Sequence, residues 1–334
     1  METDGPILIT GAFRSGTTLI AQIIKNHPKI EFIYDSVNFM RFSYERYNPI
    51  SNFDNVKALV KDIKERIADR WDMHFDDKKV IEKLQNQNVT YGLIYDNLMR
   101  ELLFVNSEAE LWGEKTTLVW TKIPAFFEMF PNGRVIHIIR DPRAILLSWK
   151  KMTNAPGNDY LDAILNCRDS MALMEEYKIR FKNKRYAPIR YEDLVNNSEK
   201  VLSEICNTLD LEPDEKMLDS KTFTDKSGEK WTGNSMFKEK INGISSKMVD
   251  IWKTKLEEWE IWLADFVIGE YMEKFNYKKM EIKQTTSLIQ KIIKEVQSSK
   301  LVTDGILYFL LTGEGYERFP SDPIDPKNWD RKIK

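Results

Sequence analysis

The sequence has little of what several classes of protein depend on. Its 334 residues include only two cysteines and three histidines. So few cysteines argue against a disulfide framework and against a cysteine-rich metal site, and we interpret Cys167 and Cys206 as small core residues. The net charge is only -2, because 50 basic residues nearly balance 52 acidic ones. We therefore expect neither nucleic acid nor an anionic membrane as a partner.

Long apolar runs are missing as well. The longest, residues 301–311, is interrupted by Thr303 and Asp304 and is shorter than the ~20 residues that a membrane-spanning helix needs. The first residues, METDGPILIT, have neither the basic nor the apolar region of a secretory signal. We expect no integral membrane span and, by default, a cytoplasmic protein.

What the sequence does contain is an alternation of short β-rich runs with helical patterns. The run from Pro6 to Thr10 ends at a glycine, and helical spacing then continues until Pro28. Further β-like runs lie at 30–34, 111–116, 134–139 and 187–190. Strands that alternate with helices predict an α/β fold with a P-loop-like parallel sheet flanked by helices, in three layers, αβα.

The rest of the chain is mostly helical in pattern. Helices are predicted at 55–105, 121–130, 158–184, 195–209 and 249–275. Residues 220–245 are polar and aperiodic, too long for a simple connector, and are a candidate lid. A lysine-rich helix and a proline-rich tail follow. We predict one domain at 1–278 and a C-terminal helical extension and tail at 279–334.

The connection between the first strand and the first helix carries the strongest functional signal. Gly11 to Thr18 (GAFRSGTT) follows the Walker pattern G-x-x-x-x-G-K-[ST] except that Thr17 replaces its lysine. That lysine reaches the β- and γ-phosphates of a nucleotide. The backbone N–H groups and the helix N-terminus remain, so the loop favours an anion smaller than a triphosphate.

Side chains of this loop add donors for such an anion. Arg14 supplies a fork of N–H groups, and hydroxyls come from Ser15, Thr17 and Thr18 behind the second glycine, Gly16. An ordinary glycine turn with a polar helix cap is the alternative, and the loop alone leaves it open.

A second signal follows the strand at 134–139. Arg140 ends this strand, and Ser148 lies eight residues further on, about two turns into the next helix. Both side chains can face one side of the sheet near the carboxyl end of the strand, where open α/β sheets bind ligands. The alternative for Arg140 is an ion pair with Asp141 or another acid.

Together the two signals resemble those of the sulfotransferases that use 3′-phosphoadenosine 5′-phosphosulfate (PAPS). Arg14 to Leu19 (RSGTTL) resembles their 5′-phosphosulfate loop, and Arg140 with Ser148 resembles their 3′-phosphate motif. The resemblance covers roughly residues 5–277. It implies transfer of a sulfuryl group from PAPS to a hydroxyl acceptor, either a small molecule or a glycan. The product would be 3′-phosphoadenosine 5′-phosphate (PAP), and no metal is expected.

Two weaker matches extend this resemblance. Residues 112–116 (WGEKT) resemble the family's G-[DE]-K-T segment, in which the lysine, here Lys115, lies beside the transferring group. Gly233 and Asn234 look like the loop that closes on the nucleotide in bacterial members, with Lys238 as a phosphate contact.

The resemblance leaves the general base open. Cytosolic members have a histidine two residues after the lysine, where this chain has Thr117. The chain is more similar to tyrosylprotein and some bacterial enzymes, which place a carboxylate after the second strand, where Asp35 lies. We predict Asp35 as the base, although it fits a turn or cap as well. Glu114 is the second candidate, with a pKa that its neighbour Lys115 is expected to lower.

The histidines are weaker candidates, and other functions remain as alternatives. His137 is predicted to be a core residue, whereas His74 fits the lining of an acceptor pocket. A nucleotide-binding protein with a degenerate P-loop and no chemistry would not need Lys115. An atypical P-loop kinase lacks the Walker lysine and a convincing magnesium site. The identity of the acceptor and the oligomeric state stay open.

Overall fold

The structure is a computed structural model that describes residues 5–104, 107–151, 157–224, 229–231 and 243–318. The strands β1 to β5 are Ile7–Gly11, Ile30–Tyr34, Leu111–Lys115, Arg134–Ile139 and Arg185–Arg190. The α-helices α1 to α14 are Thr17–Lys25, Phe39–Phe42, Phe53–Trp71, Asp77–Leu84, Tyr91–Leu103, Ile123–Met129, Pro142–Lys150, Ala163–Arg180, Tyr191–Asn196, Ser198–Leu209, Glu258–Ile268, Tyr271–Lys274, Thr286–Gln297 and Lys300–Thr312.

The strands form one parallel sheet in the order β2-β3-β1-β4-β5. Every residue of β1, β3 and β4 is buried, as expected for strands that are covered on both faces and are therefore largely apolar. The predicted α/β fold with a parallel sheet is confirmed.

Each face of the sheet packs on its own apolar core. Ile7 and Ile9 of β1 point to the face that α1 and α10 cover, whereas Leu8 points to the opposite face. The opposite core is larger and contains residues of helices α3 to α8, α11, α13 and α14. The three-layer αβα arrangement is therefore confirmed.

The strand order determines where a ligand can enter. The chain leaves β1 toward β2 on one side of the sheet and leaves β4 toward β5 on the other, although β1 and β4 are neighbours. The connections after β1 and β4 therefore diverge and leave a crevice at the carboxyl ends of the strands. Both phosphate-binding motifs predicted from the sequence begin at this crevice.

Several predicted helices differ from those observed. The helix expected at 195–209 is two helices, α9 and α10, and the one expected at 249–275 is interrupted at Gly269, whose φ of 61° ends α11. Beyond 279 the single predicted helix is replaced by α13 and α14. Ser299 separates them because its side chain accepts a hydrogen bond from the N–H of Val302 and begins a new helix.

Helices α13 and α14 pack against the rest of the chain. Ile292 of α13 and Val302 of α14 are buried in the larger core, and the two helices contact α11 and α8. The proposed division at residue 278 stays a prediction. No helix within the described ranges is long and apolar enough to cross a membrane, and the cytoplasmic location also stays a prediction.

A buried arginine ties the start of α7 to the helices behind it. Arg143 is 2% exposed and forms ion pairs with Asp141 at 2.8 Å and with Asp265 at 3.3 Å. It also donates to the carbonyl oxygen of Lys278 and packs over the Trp252 ring at 3.8 Å. This cation therefore balances two buried carboxylates directly behind the β4 crevice.

Replacement of this cation should strongly destabilise the fold. Arg143→Met leaves both carboxylates buried without their partner, which typically lowers the free energy of unfolding by about 3–5 kcal/mol. Urea unfolding followed by circular dichroism measures the change. Arg180→Met is the control, because its pair with Glu176 is about half exposed and contributes less than about 1 kcal/mol. Equal effects of the two variants would contradict the role given to Arg143.

Candidate active site

The loop between β1 and α1 is held in shape by its own hydrogen bonds. Ser15 is fully buried, and its N–H and Oγ both donate to the carbonyl oxygen of Ala12, at 3.1 and 2.7 Å. Arg14 and Gly16 adopt positive φ values of 68° and 102°, which turn the chain sharply into the helix. The predicted phosphate loop is therefore a preformed turn at the N-terminus of α1.

The first backbone N–H groups of α1 point out of the helix toward the crevice. The first hydrogen bond within the helix joins the N–H of Ile20 to the carbonyl oxygen of Gly16, so those of Thr17, Thr18 and Leu19 precede the helical pattern. The Leu19 side chain lies in the core, and only its backbone can contact a ligand. Helix N–H groups and the helix dipole favour an anion here.

The two motifs, more than a hundred residues apart in the sequence, meet at this loop. Nε of Arg14 donates to Oγ of Ser148 at 2.8 Å, and Arg140 donates to the carbonyl oxygen of Arg14 at 3.1 Å. Arg140 also donates to the carbonyl oxygen of Met248 at 3.3 Å and lies 4.3 Å above the Tyr191 ring. Its Nε is buried without a hydrogen-bond partner in the part of the chain that the structure describes.

The two guanidinium groups make the crevice electropositive. Burial, and to a lesser extent the charge of Arg140, lower the pKa of Arg14 to about 10. Arg14 is still a cation at neutral pH. Two arginines held close together beside a helix N-terminus favour binding of an anion between them.

Lys115 lies on the same face of the sheet as α1. It is the last residue of β3, pairs in register with Ile9 of β1, and its side chain is 3% exposed. Its Nζ lies 2.6 Å from Oδ1 of Asp35, which is 35% exposed. The N–H of Asp35 donates to the carbonyl oxygen of Lys115 at 3.2 Å. The structure therefore brings together the lysine and the carboxylate that were predicted from separate segments.

Glu114 points the opposite way, because successive side chains of a strand alternate between its faces. It is fully buried, and its carboxylate accepts hydrogen bonds from the N–H groups of Asn38 and Phe39 and from the hydroxyl of Tyr95. Burial raises the pKa of Glu114, and the expectation that Lys115 would lower it is wrong. Glu114 braces the segment after β2, and its position gives no support to a role as base.

His137 and His74 make their contacts outside this cluster. His137 is buried within β4 between the hydroxyls of Tyr186 and Ser170, each at 2.9 Å, and burial lowers its pKa to about 3. It is a core residue, as predicted. His74 is 68% exposed and bonds to Asp72 beyond the end of α3, so an acceptor-pocket role has no support from its contacts.

Tyr191 contacts this site, although the sequence stretch around it, which resembles the family's R-Y-E-D-L segment, is interpreted as mainly structural. Tyr191 directly follows β5 and lies beneath Arg140, and a Cβ on Gly16 would lie 2.4 Å from its ring. The sequence signal for a role in the site was an aromatic residue at the carboxyl end of a strand. Such a residue can equally belong to the core, so the signal does not identify a ligand contact. The loop residues Gly233, Asn234 and Lys238 lie outside the described residues, and their assignment stays a prediction.

The sulfotransferase family model matches residues 6–215 of the chain. The chain belongs to the sulfotransferase family. The family resemblance seen in the sequence and the predicted enzyme class, a sulfotransferase, are thereby confirmed. No curated protein sequence matches the chain.

Solved structures with the same fold include two other sulfotransferase domains. One comes from the curacin biosynthetic pathway, with a TM-score of 0.54 and 20% identity over 83% of this chain and 99% of that one. The other comes from the olefin synthase of Synechococcus PCC 7002, with a TM-score of 0.52 and 20% identity over 82% and 96%. At this identity the likeness concerns the fold.

The close contact of Gly16 with Tyr191 gives a test of the loop. Gly16→Ala introduces both a strained φ and an overlap with the ring, so we expect it to lower the unfolding free energy by more than about 2 kcal/mol. Gly313→Ala is the control, because Gly313 also has a positive φ, 73°, but has no atom within 4 Å of the added Cβ. Its loss should be about 1 kcal/mol. Equal losses, measured by urea unfolding, would contradict the proposed overlap.

Proposed function

We propose that this sulfotransferase takes its sulfuryl group from PAPS and transfers it in line to a hydroxyl group of a small molecule or glycan. The observation that carries the proposal is the meeting of Arg14, Ser148 and Arg140 at the N-terminus of α1, beside Lys115. A donor with phosphate groups at both ends of its ribose needs two anion sites, and this crevice has cations for both.

The residues present fit such a donor. The 5′-phosphosulfate would lie against the N–H groups of Thr17 and Thr18 with Arg14, and the 3′-phosphate against Arg140 and Ser148. The buried Nε of Arg140, without a protein partner in the described ranges, supports this assignment. A buried donor that lacks an acceptor is costly, and an anionic oxygen would satisfy it.

The proposed chemistry gives each step to a group of this chain. The acceptor oxygen forms a bond to sulfur while the bond from sulfur to the phosphate oxygen breaks, and PAP leaves. Lys115 would stabilise the negative charge on the departing phosphate. Asp35 would accept the proton of the attacking hydroxyl, and the fixed loop would hold the donor in line.

Donor specificity can be tested by thermal unfolding. We expect PAP without magnesium to stabilise the protein, by about 2.7 kcal/mol at a hundredfold excess over its Kd, and magnesium-ATP to stabilise it less. Arg140→Met and Ser148→Ala should both reduce the stabilisation by PAP. Arg180→Met, far from the crevice in a surface pair, should not. Preferential stabilisation by magnesium-ATP would contradict PAPS as the donor.

The base can be tested once labelled PAPS and a panel of phenols, sugars and alcohols have identified an acceptor. Asp35→Asn should lower kcat about 10²- to 10⁴-fold at saturating PAPS, because the variant has no carboxylate to accept the proton. Asp72→Asn is matched to it, since Asp72 also has a positive φ, 52°, which asparagine tolerates. The control should keep wild-type turnover. An Asp35→Asn enzyme with near wild-type kcat would remove Asp35 from its proposed role.

A further inference from the structure

Two anionic groups can pair with the ammonium group of Lys115. In the structure its ammonium group pairs with Asp35 at 2.6 Å, and in the proposed mechanism the same group faces the phosphate of the donor. The Lys115 side chain is 3% exposed, so its charge is little hydrated and its partner matters. A lysine presents one compact point charge, and two anions at that point compete for it.

The segment that carries Asp35 is held on both sides. The N–H of Asp35 donates to the carbonyl oxygen of Lys115, and Arg66 of α3 donates to the carbonyl oxygens of Ser36 and Val37, at 3.0 and 2.5 Å. Glu114 bonds to the next backbone N–H groups along the segment. The backbone at Asp35 is therefore fixed, and the long flexible stem of Lys115 is the part able to move.

We propose that Asp35 competes with the donor for Lys115, so that binding of the donor breaks the ion pair and releases the carboxylate to the acceptor hydroxyl. This inference rests on the proposed function. Before the donor binds, the carboxylate is engaged by Lys115. When PAP leaves, the pair forms again and favours product release. The proposed base is thus available mainly when the donor is in place.

Water and the field of a second cation can stabilise the carboxylate once it is released. Burial lowers the pKa of Arg70, at the end of α3, and the charge of Asp35 raises it to a lesser extent, so the field of each group reaches the other. Arg70 is more exposed than Lys115. Asp35 is itself 35% exposed, so water can solvate its carboxylate after Lys115 has turned to the donor.

The test is the affinity for PAP, which needs no acceptor. Titration calorimetry should show that Asp35→Asn binds PAP about threefold to tenfold more tightly than wild type, because Lys115 no longer has to leave a carboxylate. The substitution keeps the shape of the side chain and suits the φ of 57° at this position. Asp72→Asn, which removes one negative charge without touching Lys115, should leave the affinity unchanged.

A double-mutant cycle separates this competition from a general charge effect. Lys115→Met should weaken PAP binding, and in that background Asp35→Asn should give no gain in affinity. Unchanged or weaker binding by Asp35→Asn, or a gain that persists with Lys115→Met, would overturn the inference. Asp35→Ser, which also lacks the charge, replaces the asparagine variant if that variant does not fold. Failure of wild type to bind PAP would instead overturn the proposed function, and this inference with it.

Discussion

The position of β1 between β3 and β4 is the constraint on which the site depends. Hydrogen bonds from β1 to both neighbours align Ile9 with Lys115 on one side and with Ile136 on the other. The three strands therefore end at one edge, and the residues that follow them must share the crevice there. The predicted phosphate loop, the lysine and the Arg140 motif meet because three parallel strands end together, although they lie far apart in the sequence.

The charged side chains of this crevice lie at two levels, one at the loop and one against the sheet. Arg14 and Arg140 lie at the loop, where helix N–H groups add to their field. Lys115 lies against the sheet, and its ammonium group pairs with Asp35. On the far face of the same strand, Glu114 bonds to the backbone after β2. Two consecutive residues of β3 thus hold one segment from both faces of the sheet, because their side chains alternate.

Two arginines near this site have different roles because different groups surround them. Arg140 and Arg143 are three residues apart. Arg143 is enclosed by Asp141 and Asp265, whereas Arg140 lies over an aromatic ring with one buried donor not satisfied by the described chain. An arginine with buried carboxylates around it stabilises a fold, and one with an unsatisfied donor at a crevice is suited to a ligand.

The sequence by itself determined the fold class, and it predicted an anion site in the loop after β1. Apolar strands that alternate with helices predict a parallel sheet. In the eight residues from Gly11 to Thr18, Thr17 replaces the Walker lysine, so the usual lysine contact with a triphosphate is absent from this loop. Local patterns suffice for such features because each one depends on neighbours in the chain. The opposite orientations of Glu114 and Lys115, the place of Tyr191 beneath Arg140 and the ion pair of Lys115 with Asp35 were decided by the tertiary structure. They depend on strand register and burial. Register joins segments as far apart as Asp35 and Lys115, which are separated by 80 residues. Burial raises the pKa of Glu114, which its neighbour in the sequence was expected to lower.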